Sequence, residues 1–255
     1  MCLIVFAYRV HPDYPIIIAA NRDEFYARPT QVLDQWTDGS DIVAGRDLEG
    51  GGTWMGITPN GRIAALTNYR EPGIRIDGAP SRGHLVSDFL KGPEPLNHYL
   101  NRLDSKSSKY NGFNILLSEN GRWVYYSNRG GAPQELQAGI HGLSNHVLNT
   151  PWPKVVRSCQ AVEKRLSDQR PPVTEDLMQV LQDRAVPPDE DLPRTGVEME
   201  WERRLGSIFI NSDIYGTRCS TVLLVGKDGT ARMRERTFDR NGPAGEVERE
   251  LQVPL

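Results

Sequence analysis

Two apolar runs at the start of the chain, LIVFAY and PIIIAA, flank a turn at His11–Tyr14 and commit the first residues to a hairpin. In a hairpin the turn sets the register, and the register decides which side chains share a face. With Val10 opposite Pro15, Leu3 faces Arg22 and Cys2 faces Asp23. The cysteine and the polar quartet Asn21, Arg22, Asp23 and Glu24 then meet at the open end of one hairpin. A slip of one residue exchanges their faces.

That juxtaposition has a chemical use. Once Met1 is removed, Cys2 carries a thiol and a free α-amine on one residue. The amine has a reference pKa of about 7.7–8.0 and the thiol about 8.5, so the amine can accept the thiol's proton near neutral pH. An N-terminal nucleophile served by its own amine is one route to acyl transfer. Arg22 and Asp23 are placed to hold a thiolate and orient an ammonium. The plainer reading of Cys2 is a small buried hydrophobe opening a strand.

The rest of the sequence narrows the setting. Its 255 residues suffice for one large domain, taken here as residues 1–255. A net charge of −3 and the lack of a dense basic patch argue against nucleic acid as a partner. The alternating RMRER near Arg232 reads as a solvated strand face. Three cysteines, Cys2, Cys159 and Cys219, make neither a disulfide framework nor a CxxC metal site, and the five histidines are dispersed, so no metal is expected. No apolar run approaches the ~20 residues of a membrane span, and none resembles a signal peptide. A cytoplasmic setting is expected.

Along the chain, FYARPT and QVLDQWTDGSD read as polar and turn-rich. Gly50, Gly51 and Gly52 mark a close approach or an unusual turn, without the GK[ST] of a phosphate-binding loop. Asn60-Gly61, Asn120-Gly121 and Asp228-Gly229 each join two strand-like runs, the pattern of tight hairpins. SRGHLVSDFLKG reads as a helix capped by Ser81, and EPLNHYLNRL as a second helix. GIHGLSN is a short strand. In PWPKVVRSCQAVEKRL a helical stripe runs through Trp152, Val155, Val156, Cys159, Val162 and Leu166. TEDLMQVLQDR is a further helix capped by Thr174, AVPPDEDLPRTGVE a loop, SIFI and TRCSTVLLV strands, and the last dozen residues an edge segment or tail. Large antiparallel hairpins interleaved with helix pairs fit an α+β fold of two stacked sheets covered by helices. Alternating βαβ units are absent.

Candidate polar groups fall at strand ends: Arg22 and Asp23, Asn68, Asn145, and Arg218 with Ser220. Asparagine amides are neutral oxyanion donors, and arginines hold carboxylates or an acyl group's polar tail.

The blocks MCLIVFAY, AANRDEFYARPT, GRDLEGGGTWMGI, ALTNYR, HGLSNHVLNTPWPKV and YGTRCSTVLLV resemble the NRDE family, whose eukaryotic members are called transport and Golgi organisation protein 2. The likeness covers nearly the whole chain. It implies an N-terminal-nucleophile (Ntn) hydrolase-like fold, a four-layer αββα sandwich with two stacked antiparallel sheets. That group is similar to cysteine amidohydrolases such as penicillin V acylase and bile salt hydrolase. Carried over, the resemblance makes Cys2 the nucleophile, Arg22 and Asp23 (adjacent here) its supporting pair, Asn68 and Asn145 oxyanion donors, and Arg218 a late active-site arginine. The expected activity is hydrolysis of an amide or thioester of a small acylated molecule, which requires no cofactor. The alternative is a non-catalytic carrier of haem, a lipid or an acyl-CoA on the same scaffold.

Overall fold

The computed structural model describes residues 2–254. Met1, whose removal the nucleophile reading requires, lies outside the described residues. The opening hairpin forms from β1 (Cys2–Tyr8) and β2 (Ile16–Phe25), and both strands are buried along nearly their whole length. Such near-continuous apolar strands need cover on both faces, and the remaining elements supply it.

The first sheet contains six strands in the order β10-β1-β2-β11-β12-β13, with β10 at Gly139–Leu143, β11 at Tyr215–Val225, β12 at Thr230–Asp239 and β13 at Gly242–Gln252. The second contains seven in sequence order: β3 (Thr30–Gln35), β4 (Val43–Asp47), β5 (Met55–Ile57), β6 (Ile63–Asn68), β7 (Phe113–Glu119), β8 (Arg122–Ser127) and β9 (Gly131–Glu135). Every pairing is antiparallel.

Strand alternation sorts the apolar residues into layers. Ile4, Phe6, Ile16 and Ile18 point between the sheets and meet Met55, Ile63, Leu116 and Trp123. Val5, Ala7, Ile17 and Ala19 point the other way, against α3 (Pro153–Leu166) and α4 (Thr174–Leu181). The outer face of the second sheet is covered by α1 (Gly83–Lys91) and α2 (Leu96–Lys106), through Leu85, Phe89, Tyr99 and Leu103. Two stacked antiparallel sheets between helical layers is the expected architecture. No helix among the described residues is long and apolar enough to cross a membrane.

Several local expectations are corrected. The hairpin register is displaced by one residue: Cys2 pairs with Arg22 and Leu3 with Asn21. Arg9 adopts φ 53° and donates its N–H to Pro15 O at 2.8 Å, so pairing begins at Tyr8↔Ile16 and the connecting loop is longer than a tight turn. The polar segment after the hairpin contains β3, which pairs with β4 and inserts Leu33 between the sheets. Neither Ser81 nor Thr174 caps its helix: Arg82 and Val173 occupy the cap positions, without a side-chain bond. SIFI is not a strand. Its backbone is pinned irregularly, with Phe209 N–H on Asp183 O and Ile210 N–H on Thr217 Oγ1. An additional helix, α5 (Met199–Gly206), precedes it. The buried face of α3 is Lys154, Val155, Ser158, Val162 and Leu166, which leaves Val156 37% exposed and Cys159 half-buried.

The sheet margins differ from the interior. All five residues of β9, including Pro133, are exposed. Along β13, Glu246, Glu248 and Glu250 pair across the strand with Arg236, Arg234 and Arg232.

Candidate active site

The site opens where β1, β2 and β6 end together. Cys2 pairs directly across from Arg22, and both line a cavity of about 360 Å³ with Asp23, Asn68, Trp54 and Arg82 among its walls. Cys2 is 9% exposed. Burial pushes its thiol up, and the Arg22 charge opposes that shift.

Alternation along β2 gives each residue of the polar quartet a different neighbour. Asn21 turns toward the helical layer and donates to Leu181 O at 2.8 Å and Ile208 O at 2.9 Å, while Ser220 Oγ donates to its Oδ1 at 2.6 Å. Arg22 turns between the sheets. It donates to Thr30 Oγ1 at 3.1 Å and Asp47 Oδ2 at 3.0 Å, and its guanidinium lies 4.4 Å over the Trp54 ring. Asp23 accepts from Thr217 Oγ1 at 2.8 Å. Burial pushes the Asp23 carboxyl up, and the Lys154 ammonium is the largest opposing influence among the described residues. Glu24 lines the cavity mouth.

The glycine-rich loop after β4 closes one wall. Asp47 receives Arg22 and Arg28 on one oxygen, and the N–H groups of Glu49 and Gly50 on the other, at 3.1 and 2.8 Å. Gly52, at φ +74°, sits so close to Gly83 at the start of α1 that a Cβ would run into its carbonyl. Gly45 leaves the space that the Trp54 ring fills. The loop thus turns the chain, while Gly50 and Gly51 also line the cavity.

A model described as Transport and Golgi organisation 2 matches residues 1–240. The chain belongs to this family. A Bos taurus transport and Golgi organization protein 2 homolog is 37% identical over 265 aligned residues, which cover 95% of each chain. The Drosophila melanogaster transport and Golgi organization protein 2 is 30% identical over 273, covering 96% of this chain and 95% of its own. Among solved structures, a Caenorhabditis elegans N-acylethanolamine-hydrolyzing acid amidase ortholog matches with a TM-score of 0.53 at 16% identity, covering 88% of this chain and 92% of that one. The chain thus shares that structure's fold, an α+β sandwich of two stacked antiparallel sheets.

Of the six residues singled out from sequence, four line the cavity: Cys2, Arg22, Asp23 and Asn68. Asn145 sits behind them. It is fully buried, its Nδ2 donates to Asn68 O at 2.8 Å, and its Oδ1 accepts from Ser144 Oγ. Ser144 Oγ also donates to Cys2 O at 3.1 Å, so the segment after β10 braces the site without lining it. Arg218 lies apart. Its Nη1 donates to the carbonyls of Phe25, Tyr26 and Arg28 and straps the turn after β2. A bulge between Thr217 and Cys219 accompanies that diversion. Sequence reasoning missed Asp47, Trp54 and Arg82. Trp54 and Asp47 stand in the GRDLEGGGTWMGI block, where three glycines drew the attention. Arg82 donates to Gly112 O at 2.9 Å and loses basicity through burial.

Proposed function

We propose that this chain is an Ntn-type cysteine hydrolase that cleaves an amide or thioester of a small acylated molecule. The observation that carries the reading is Cys2 on the first turn-free strand of the fold, opening into a cavity beside Arg22 and Asn68. With Met1 removed, the Cys2 α-amine takes the thiol proton, and Sγ attacks the acyl carbon to form a C–S bond. The carbonyl electron pair moves to oxygen, where the Asn68 side-chain amide is the neutral donor on the cavity wall; that of Asn145 is spent on Asn68 O. As the C–N or C–S bond breaks, the ammonium returns its proton to the leaving group. Water, deprotonated by the same amine, then hydrolyses the thioester to a carboxylic acid. Arg22 is held by Asp47 and Thr30 and offsets charge near the thiolate. The structural neighbour described as an N-acylethanolamine-hydrolyzing amidase makes the N-acyl bond the first class to try.

One feature favours the carrier reading: burial pushes the Cys2 thiol up, which disfavours the thiolate. A non-catalytic protein would then hold haem, a lipid or an acyl-CoA in the same cavity. Intact mass spectrometry after incubation with N-acylethanolamines and acyl thioesters separates the two. The enzyme yields a species without Met1 that carries an acyl group on Cys2, and Cys2→Ser abolishes turnover. Retained Met1, with ligand binding indifferent to Cys2→Ala, overturns hydrolysis.

A further inference from the structure

Four arginines line the cavity at Cys2: Arg22, Arg28, Arg75 and Arg82. Two are neutralised inside the protein. Arg22 and Arg28 meet Asp47 Oδ2 at 3.0 and 2.7 Å, and Arg28 Nη1 also meets Glu49 Oε1 at 3.0 Å. The other two stand on the segment between β6 and α1. Arg82 is half-buried, and the hydrogen bond it forms among the described residues runs from Nη1 to the Gly112 carbonyl at 2.9 Å. A guanidinium carries five N–H donors and a full charge, and one neutral carbonyl satisfies neither. Arg75 is exposed at the rim and forms no hydrogen bond or ion pair among the described residues.

The acids nearby leave this pair unmatched. Asp47 and Glu49 serve Arg22 and Arg28. Asp23 is buried and accepts from Thr217 Oγ1 at 2.8 Å. Glu24 takes the Phe25 N–H at 2.9 Å and pairs with neither arginine among the described residues. Glu71 is clamped by Arg129, at 2.7 and 2.8 Å, and by the Gly112 N–H at 2.8 Å. Asn111, next to the glycine that Arg82 bonds, also lines the cavity. Its Oδ1 accepts the Ile76 N–H at 2.8 Å, which leaves its amide hydrogens to donate. This stretch of wall therefore offers donors and uncompensated positive charge, a setting for an anionic group.

We propose that the cavity takes an N-acyl amino acid: Arg82, backed by Arg75, holds the carboxylate of the amino-acid half while the acyl carbonyl meets Cys2 and Asn68. The guanidinium fork matches a carboxylate bidentately, which a neutral hydroxyl cannot reproduce. At about 360 Å³ the cavity is at the small end of ligand pockets, so the anion must sit close to the scissile bond. A carboxylate on the carbon next to the amide nitrogen meets that condition. The inference rests on the hydrolase reading and names its leaving group. Water and the N-acyl amino acid give a carboxylic acid and the free amino acid, whose nitrogen takes the proton returned by the Cys2 ammonium.

Binding is read apart from turnover by titration calorimetry on Cys2→Ala protein, with N-decanoylglycine, N-decanoylglycinamide and N-decanoylethanolamine. These ligands share one acyl chain and differ at the head. The glycine conjugate is expected to bind about tenfold tighter than either neutral one, and Arg82→Gln in the same background to close that gap. Arg75→Gln, at an exposed position, is expected to narrow it by about twofold to threefold. Equal affinity for the charged and neutral heads overturns the proposal, as does a preference that survives Arg82→Gln. If Arg82→Gln does not fold, the comparison of the three ligands and Arg75→Gln decide. Turnover by the wild-type chain separates this inference from the reading beneath it. Cleavage of all three ligands without preference for the glycine conjugate refutes carboxylate recognition and keeps the hydrolase. A carboxylate preference in binding with no cleavage of any ligand refutes the hydrolase and keeps the arginine site.

Discussion

Asp47→Asn tests the ion pair that holds Arg22 against the cavity wall. The Asp47 carboxylate accepts from Arg22 at 3.0 Å and Arg28 at 2.7 Å on one oxygen, and from two backbone N–H groups on the other. Arg22 is only 5% exposed and Asp47 15%. Removing one member of a fully buried ion pair costs about 3–5 kcal/mol, because the remaining charge is left uncompensated. Asp47 keeps some solvent contact and Arg28 more, and Trp54 and Thr30 still hold Arg22. The expected loss is therefore about 2–3 kcal/mol, a melting temperature lower by about 4–12 °C in a chain of this size. Urea denaturation at constant m measures it. The pH dependence sharpens the test. Burial pushes the Asp47 carboxyl up, but the Arg28 bond, the Gly50 N–H and the two arginine charges outweigh it, and the net direction is down. A carboxyl held below its unfolded value contributes stability above about pH 4 and loses it as pH falls through the folded value. The gap between wild type and Asp47→Asn should thus be full at neutral pH and close in acid. A difference under about 0.5 kcal/mol at pH 7, or a gap that widens in acid, would refute the reasoning.

Two further substitutions test the frame around the cavity. Gly52→Ala must place a Cβ at φ +74° against the Gly83 carbonyl, and should cost about 2–4 kcal/mol by chemical denaturation, more than the left-handed backbone alone accounts for. Arg218→Ala removes three bonds to carbonyls outside the cavity, so it should lower stability by about 1–2 kcal/mol while Cys2 alkylation stays within about twofold of wild type.

The hairpins that close on Asn-Gly and Asp-Gly were legible because their turns are local: the residues that require left-handed backbone sit between the runs they join. The opening hairpin was legible as a hairpin but not in register, since the positive φ of Arg9 has no sequence mark like Asn-Gly. The strand β3 was hidden because TQVLDQ buries only Leu33 between the sheets. The strand ends were readable one by one, but their convergence on one cavity came from the family resemblance, since β6 lies in the other sheet from β1 and β2. The roles of Asn145 and Arg218 depend on where their long-range partners lie, which no local pattern encodes.

The margins of the two sheets have a bearing on how copies of this chain meet. An exposed strand offers unpaired N–H and C=O groups on which a neighbouring molecule can build. On β9, Pro133 lacks the N–H that such a ladder needs. On β13, three glutamates already matched to arginines inside the sheet would confront an identical acidic row in an antiparallel copy. Addition of a neighbouring copy at β9 or at β13 is therefore disfavoured, so those two margins close the sheets rather than extend them.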